Sequence, residues 1–285
     1  MASESDTPIG PTGRPYHGFA TPPTLDGHGP ARIIALCNQK GGVGKTTTTI
    51  NLAASLAYYG RRVLAVDFDP QGALSAGLRI ASHDVPTIYD LLLDTKRDAR
   101  DVIQSSRVEN LDVLPANIDL SAAEVHLVNE VARETILSRV LRQVAAEYDV
   151  ILIDCQPSLG LLTVNALTAS HGVLIPLECE FFALRGVALL IETIEKVRDR
   201  LNPSIQLDGL LATMYDSRTL HSREVLERVV DTFGEDVLET VIGRTVKFPD
   251  ASVSGVPIID FAPEHPAAQA YLRLARELVA RGAVA

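Results

Sequence analysis

The sequence predicts a doubly wound α/β fold in which helices cover both faces of a mostly parallel sheet. Hydrophobic residues make up 46% of the 285 residues and tryptophan is absent, so the core must be aliphatic. Aliphatic strands are typical of parallel sheets that are buried on both faces. Short apolar runs alternate with helical patterns, which is the order of β-α-β units. The predicted strands are 33–37, 62–67, 111–114, 149–154, 172–177, 207–214 and 241–242.

The segments between these strands carry the spacing of amphipathic helices. They predict helices at 45–59, within 87–104, twice within 119–147, and at 183–201, 220–233 and 266–281. The last helix places Tyr271, Leu274 and Leu278 on one stripe. We expect this helix to dock on the sheet rather than lie on a membrane, because the stripe is rich in alanine and lacks Phe and Trp.

The first 30 residues differ from the rest in composition. They are rich in Pro, Gly and Thr and show no apolar periodicity, which predicts a disordered N-terminal arm over residues 1–30. Residues 31–285 are predicted to form one domain. The segment 1–30 is too short for a separate helix-turn-helix domain.

Bulk charge and cysteine usage limit the class of protein. The net charge is −10, which argues against a protein coated in nucleic acid, so any DNA contact needs a local basic patch. Cys37, Cys155 and Cys179 lie in or beside apolar runs without a C-x-x-C pair, which predicts buried reduced thiols rather than a metal site.

No apolar run is long enough to span a membrane, and no secretory signal is present. We expect a cytoplasmic protein without stable membrane insertion.

A glycine-rich loop joins the first predicted strand to the first predicted helix, which is the context of a phosphate-binding loop. Its glycines let successive backbone N–H groups converge on phosphate oxygens, and the helix N-terminus adds its positive end. We expect Lys45 to reach the β- and γ-phosphates and the Thr46 hydroxyl to bind Mg²⁺. The first glycine of the general motif falls on Gln39, and an extra lysine precedes the double glycine. The loop residues are Lys40, Gly41, Gly42, Val43, Gly44, Lys45, Thr46 and Thr47.

Two further apolar strands end in carboxylates. Asp67 and Asp69 alternate at the end of one strand, which puts both side chains on the same side. Asp154 ends the strand 149–154 and fits a Walker B position that holds Mg²⁺ through water. Beside a phosphate loop these residues predict a site for ATP and Mg²⁺, with Thr46, Asp67 and Asp154 around the metal.

The loop string K-G-G-V-G-K-T-T, with D-F-D-P-Q-G after the second strand, resembles the ParA/MinD family of ATPases, and the resemblance covers about residues 31–281. It implies that Lys40 crosses a dimer interface to the ATP of the partner subunit, while Lys45 binds the ATP of its own subunit. It also implies that Asp69 orients the attacking water and that Asp67 supports the loop or the metal shell. Lys40, Lys45 and Asp69 are therefore the expected catalytic residues.

The string A-T-M-Y-D-S-R-T resembles a motif of chromosomal ParA proteins of the Soj type. It implies that Met214 and Asp216 form a wall of the adenine site. The resemblance further implies non-specific DNA contacts by Arg218 and Lys247, with Arg244 nearby. Acidic residues are interspersed among these cations, so a mixed-charge solvated surface is the alternative.

The sequence departs from the family pattern at several positions. Gln156 replaces a proline, Arg185 replaces a glutamate, and Gly243 and Pro249 are further departures. Gln156 leaves the hydrolysis rate open, since it changes the backbone near the γ-phosphate. Arg185 reverses the charge of the family residue, so whether a contact with a partner or with the second subunit differs from the family stays open.

The expected function is an ATP-dependent dimerising switch of the ParA type in chromosome or plasmid segregation, located in the cytoplasm at the nucleoid. Its ATP-bound homodimer is expected to bind double-stranded DNA non-specifically, and a ParB-like partner to stimulate slow ATP hydrolysis. One alternative is a MinD-like, membrane-associated positioning ATPase. Another is an ATP-gated adaptor that recruits a protein and hydrolyses ATP negligibly. An iron–sulfur carrier is disfavoured because no suitable second cysteine follows Cys155.

Overall fold

Eight strands form one sheet in the computed structural model, which describes residues 8–94, 96–180 and 183–285. The strand order is β3-β4-β2-β5-β1-β6-β7-β8. Every pairing is parallel except that of the short edge strand β3 with β4. The bounds are β1 Arg32–Leu36, β2 Val63–Phe68, β3 Gln104–Ser105, β4 Leu111–Leu114, β5 Val150–Cys155, β6 Gly172–Glu178, β7 Gln206–Tyr215 and β8 Val237–Gly243. The predicted doubly wound fold is confirmed.

Helices cover both faces of this sheet. One aliphatic core lies under α3 to α8, and the other lies under α1, α2 and α9 to α11. The helix bounds are α1 Lys45–Tyr58, α2 Ala73–Gly77, α3 Ile88–Leu93, α4 Leu120–His126, α5 Ile136–Arg142, α6 Leu161–Ala169, α7 Ala183–Arg200, α8 Leu220–Phe233, α9 Lys247–Ser254, α10 Ile258–Phe261 and α11 Pro266–Ala280.

The central strands show why apolar runs rather than alternating patterns mark this sheet. In β1, Ile33 and Ala35 face one core while Ile34 and Leu36 face the other, and all four are buried. A strand with both faces covered needs apolar residues at consecutive positions.

The register of the central strands brings three strand ends to one edge of the sheet. Leu36 of β1 pairs with Asp154 of β5, and Asp67 of β2 pairs with the same aspartate from the other side. Ligands of open α/β sheets bind at the carboxyl ends of the strands, where the chain direction across the sheet reverses. The loop after β1 and the carboxylates that end β2 and β5 therefore share one site.

The C-terminal helix α11 docks on the domain, which confirms that expectation. Tyr271, Leu274 and Leu278 are buried, and the Tyr271 hydroxyl lies 3.2 Å from Oγ1 of Thr48 in α1. Among the described residues, no helix is long and apolar enough to cross a membrane.

Residues 8–30 lie against the domain, which differs from the disorder expected there. The backbone N–H of Gly29 donates to Oδ1 of Asp149 at 2.8 Å, and the Arg61 guanidinium donates to the Pro23 carbonyl at 2.7 Å. Such contacts join residues far apart in the chain, so the composition of the segment does not reveal them. The first seven residues of the expected arm lie outside the described residues.

Candidate nucleotide-binding site

The loop between β1 and α1 has the backbone of an anion cradle. Gly42 and Gly44 have φ values of 77° and 85°, in the left-handed region where a side chain is strained. The helix α1 begins directly after Gly44 and has no acidic residue in its first turn. The unpaired N–H groups at its N-terminus therefore face the loop without a competing negative charge.

Lys45 is held inside this loop. Its side chain is buried, and Nζ lies 3.3 Å from the Lys40 carbonyl oxygen. The Thr213 hydroxyl, at the end of β7, donates to the Val43 carbonyl at 2.8 Å and ties the loop to the sheet. A buried ammonium group inside a cradle of backbone N–H groups can bind a phosphate oxygen with little rearrangement.

Two buried carboxylates lie beneath the loop, on neighbouring strands. Asp154 and Asp67 are both 0% exposed. Burial, followed by the charge of Asp67, raises the pKa of Asp154 to about 8, while a hydrogen bond from Thr46 and the charge of Lys45 oppose the rise. Oδ1 of Asp154 accepts from the Thr49 hydroxyl at 3.3 Å, whereas Oδ2 has no hydrogen-bond partner among the described residues. A buried carboxylate oxygen without a donor is costly unless a cation neutralises it. Asp154 and Thr46 thus offer the oxygen ligands that Mg²⁺ prefers.

Asp67 has a different environment from Asp154. Its Oδ2 accepts from the backbone N–H and the hydroxyl of Ser75 at 2.8 and 2.7 Å. Burial raises the pKa of Asp67 to about 6, and these hydrogen bonds limit the rise. Asp67 therefore fixes the chain after β2, while the half-buried Asp69, which accepts from the Gln71 N–H at 3.0 Å, lies at the rim. The sequence did not identify Ser75.

A cleft of about 350 Å³ opens beside the phosphate loop. Gly44 and Thr47 form its loop side, and Met214, Phe248 and Tyr271 form much of its apolar wall. Met214 has a φ of 52°, a strained backbone conformation of the kind found at ligand sites. The cleft can hold a planar base next to the phosphates. Met214, which the sequence predicts for the adenine wall, lines this cleft, and no sequence signal indicates Phe248 or Tyr271.

Asp216, the other residue predicted for the adenine wall, is not in the lining of that cleft. Its carboxylate binds the Arg218 guanidinium at 2.8 and 2.9 Å. The hydrogen bonds from Arg218 lower the pKa of Asp216 to about 2. In this conformation Asp216 therefore pairs with Arg218 rather than facing a nucleotide.

The Lys40 side chain is directed at two glutamates at the end of β6 and just after it. Its Nζ donates to Oε2 of Glu178 at 3.0 Å and also to Glu180. Burial lowers the pKa of Lys40, but these hydrogen bonds outweigh it and the pKa is raised. The Arg244 guanidinium binds the other oxygen of Glu178 at 2.9 Å. Glu178 thus pairs with both the predicted crossing lysine and a predicted DNA contact.

The predicted DNA contacts lie at the same edge of the sheet. Arg218, Arg244 and Lys247 follow β7 and β8, and their side chains are 87%, 62% and 43% exposed. Each has an acidic neighbour, which for Lys247 is Asp250 at 3.7 Å. The surface therefore carries cations that are paired within the subunit.

The departures from the family pattern also have defined positions. Gln156 donates from Nε2 to Oε1 of Glu124 at 3.2 Å and so links the segment after β5 to α4. Arg185 is exposed in the first turn of α7. Pro249 is in the lining of the nucleotide cleft.

Fold and site together define a P-loop nucleotide-binding protein, and comparison with known proteins gives the family. A family model described as an AAA domain matches residues 31–207. The sporulation initiation inhibitor protein Soj of Bacillus subtilis is 50% identical over 88% of this chain and 99% of its own length. The chromosome-partitioning ATPase Soj of Treponema pallidum is 47% identical over 88% and 98%. An uncharacterized protein of Mycobacterium tuberculosis is 58% identical over 96% and 86%.

Solved structures of related sequence share this fold. A Mycobacterium smegmatis protein described as cobyrinic acid a,c-diamide synthase, with bound ADP and magnesium, is 40% identical with a TM-score of 0.78, covering 89% of this chain and 96% of that one. The cell division ATPase MinD of Pyrococcus furiosus is 28% identical with a TM-score of 0.73, covering 88% and 99%. The chain belongs to the ParA/Soj family of partitioning ATPases.

Replacing Asp154 by Asn is expected to stabilise the magnesium-free protein. The folded-state pKa of about 8 lies above the ordinary 3.8, so ionising this carboxyl group costs stability as pH rises between those values. We expect the free energy of unfolding to rise by about 5 kcal/mol at pH 8 and by about 2 kcal/mol at pH 5. Urea unfolding at both pH values measures this difference. An Asp154→Asn variant less stable than the parent at pH 8 contradicts the proposed cost of the buried charge, and the exposed Asp94→Asn serves as control.

Proposed function

We propose that this protein is an ATP-dependent dimerising switch of the ParA type that acts in chromosome or plasmid segregation. With ATP and Mg²⁺ bound it forms a homodimer that binds double-stranded DNA without sequence preference. A ParB-like partner stimulates its slow ATP hydrolysis, and the dimer then separates. The proposed location is the cytoplasm, at the nucleoid.

The phosphate loop and the strand ends support the nucleotide steps. The N–H groups of Gly41 to Thr47 and the Lys45 ammonium bind the phosphates, while Thr46 and Asp154 hold Mg²⁺, which neutralises phosphate charge. Asp69 orients the attacking water from the rim of the site. Asp67 holds the chain that carries Asp69, through its hydrogen bonds with Ser75.

The position of Lys40 is the observation that carries the proposal of a dimer. Lys45 already supplies an ammonium group inside the loop, whereas Lys40 is 45% exposed and directed at Glu178 and Glu180 on the rim. A second lysine that does not serve its own loop is available to the nucleotide of a facing subunit. Sharing the triphosphate charge between two subunits makes ATP part of the interface.

Dimerisation also explains how an acidic chain can bind DNA. The net charge is −10, and one subunit offers only a few exposed cations near the cleft. Each additional phosphate contact strengthens binding and its salt dependence. A dimer therefore binds DNA at concentrations where a single subunit does not, because one face carries two copies of Arg218, Arg244 and Lys247.

The names of the relatives favour partitioning over other reactions on this fold. The two proteins named Soj are 50% and 47% identical to this chain, against 40% for the structure described as a diamide synthase. The buried position of α11 disfavours a role as membrane anchor.

DNA binding by the Asp69→Ala variant tests the proposed switch. Loss of the water-orienting carboxylate traps the ATP state, so we expect binding to non-specific duplex with Mg-ATP and none with Mg-ADP. Replacing Arg218 by Ala in this background removes two phosphate contacts per dimer. The slope of log K against log salt should then fall by about 1.8. Fluorescence anisotropy at several salt concentrations measures the slope.

The Arg200→Ala replacement, at an exposed position of α7, is the matched control and should leave the slope unchanged. Equal DNA binding with ATP and ADP contradicts the switch. Absence of binding in both states, with ATP turnover retained, favours the protein-recruiting or membrane-associated alternatives.

The Glu178→Gln replacement is expected to favour dimerisation, because it removes the charge that holds Lys40 on its own subunit. Partly exposed ion pairs contribute about 0.2–1 kcal/mol and each dimer loses two of them, so the ATP-dependent dimer should form at a protein concentration about two- to thirtyfold lower. Mass photometry with Mg-ATP measures the change in an Asp69→Ala background.

The Glu192→Gln replacement, which breaks an exposed pair with Lys196 on α7, is the control. If the Glu178→Gln variant dimerises only at a higher concentration than the parent, Glu178 contributes to the dimer instead of opposing it.

A further inference from the structure

A second cavity lies on the opposite side of α11 from the nucleotide cleft. It has a volume of about 510 Å³ and is bounded by β8, α11 and the N-terminal segment 8–30. We call it the arm groove; the residues that matter here are Tyr16, Phe19, Thr240, Gln269, Arg273 and Arg276. Tyr271 faces the nucleotide cleft, whereas Arg273 and Arg276 face the arm groove.

The N-terminal segment is held at this groove by Arg273, which is 7% exposed. Its guanidinium carbon lies 3.5 Å from the ring centroid of Tyr16 and 4.6 Å from that of Phe19. The same group donates to the His17 carbonyl at 2.6 Å and to Oε2 of Glu239 at 3.1 Å. Two cation–π contacts and the hydrogen bond to His17 therefore hold the N-terminal segment as one wall of the cavity, and Glu239 of β8 fixes the guanidinium.

Several polar atoms in the lining of the groove have no partner. Nε of Arg273, Nε of Arg276 and Oγ1 of Thr240 are buried and make no hydrogen bond with any described residue. Arg276 also forms no ion pair within the described part of the chain, while the carboxylate of Glu239 already binds Arg273 and His17. Buried donors without acceptors are rare in proteins and each costs free energy. The half-buried Arg276 therefore brings a positive charge, without an acidic partner among the described residues, to the border of a cavity of ligand size.

We infer that the arm groove is a binding site for a small aromatic oxyanion, in which a planar ring carries one carboxylate or phosphate group. The oxyanion accepts from Arg276 and Thr240, a charge-assisted interaction that a neutral ligand lacks. The ring lies along the wall that Tyr16 and Phe19 provide. Because that wall belongs to the N-terminal segment, ligand binding holds the segment against β8 and α11.

A Phe19→Trp variant tests this site. The chain has no tryptophan, so the replacement gives one fluorescent reporter in the wall of the groove. The full chain is saturated with Mg-ADP to fill the phosphate loop, and is then titrated with benzoate, phenyl phosphate, inorganic phosphate and benzyl alcohol. We expect saturable fluorescence changes with benzoate or phenyl phosphate, at least about tenfold tighter than with the two incomplete probes. Preference for phenyl phosphate or for benzoate distinguishes a phosphomonoester from a carboxylate ligand.

Variants then locate the binding. Replacing Arg276 by Gln should weaken the preferred probe by about tenfold, and the Arg200→Gln control should leave its affinity unchanged. If the Arg276→Gln variant melts well below the parent, Thr240→Val replaces it, with the same direction expected. No saturable response below about 10 mM, or equal affinity in the parent and the folded groove variant, overturns the proposal.

Discussion

The parallel register of β1, β2 and β5 is the constraint on which the rest of the site depends. Because Leu36 and Asp67 both pair with Asp154, the phosphate loop and two carboxylates emerge at the same level of the sheet. Since side chains alternate along a strand, a slip of one residue in either pairing would turn an aspartate towards the opposite core. The apolar residues of both cores hold these strands in register. They therefore determine where the aspartates of the site lie as well as the fold.

Charge pairing within the subunit is the second organising feature. Lys40 and Arg244 share Glu178, Arg218 binds Asp216, and the exposed cations near the cleft are thus compensated in this conformation. Surface pairs of this type are weak and exchange readily for other partners. A protein with a net negative charge can in this way keep its cations paired until a nucleotide, a second subunit or DNA offers stronger anions.

The sequence predicted the elements whose signals are local. The phosphate loop follows a strand and opens a helix, and β4 and α8 begin and end at the predicted residues, since their patterns and flanking residues act within one element. It missed α9 and α10, which are short; Pro249 lies in the first turn of α9, and Pro257 directly precedes α10. It also shortened β8, because Glu239 and Thr240 break the apolar run.

Long-range contacts explain those misses. The backbone N–H groups of Glu239 and Thr240 donate to the buried carboxylate of Glu277 in α11, at 2.7 and 2.8 Å, so a polar stretch can belong to an edge strand. Arg273 holds the N-terminal segment through the rings of Tyr16 and Phe19, which are more than 250 positions away along the chain. Its hydrogen bond to the His17 carbonyl spans 256 residues. The ion pair of Lys40 with Glu178 likewise joins the loop after β1 to the end of β6, and no local pattern marks it.

The central claim is that the two lysines of one phosphate loop serve two subunits. Light scattering of the Asp69→Ala and Asp69→Ala/Lys40→Ala proteins with Mg-ATP tests it directly, alongside equilibrium binding of labelled ATP. The account predicts that the first protein is a dimer, and that the second binds ATP but stays a monomer. A double variant that dimerises as tightly as the single variant would contradict the account, because Lys40 would then not be needed by the facing subunit.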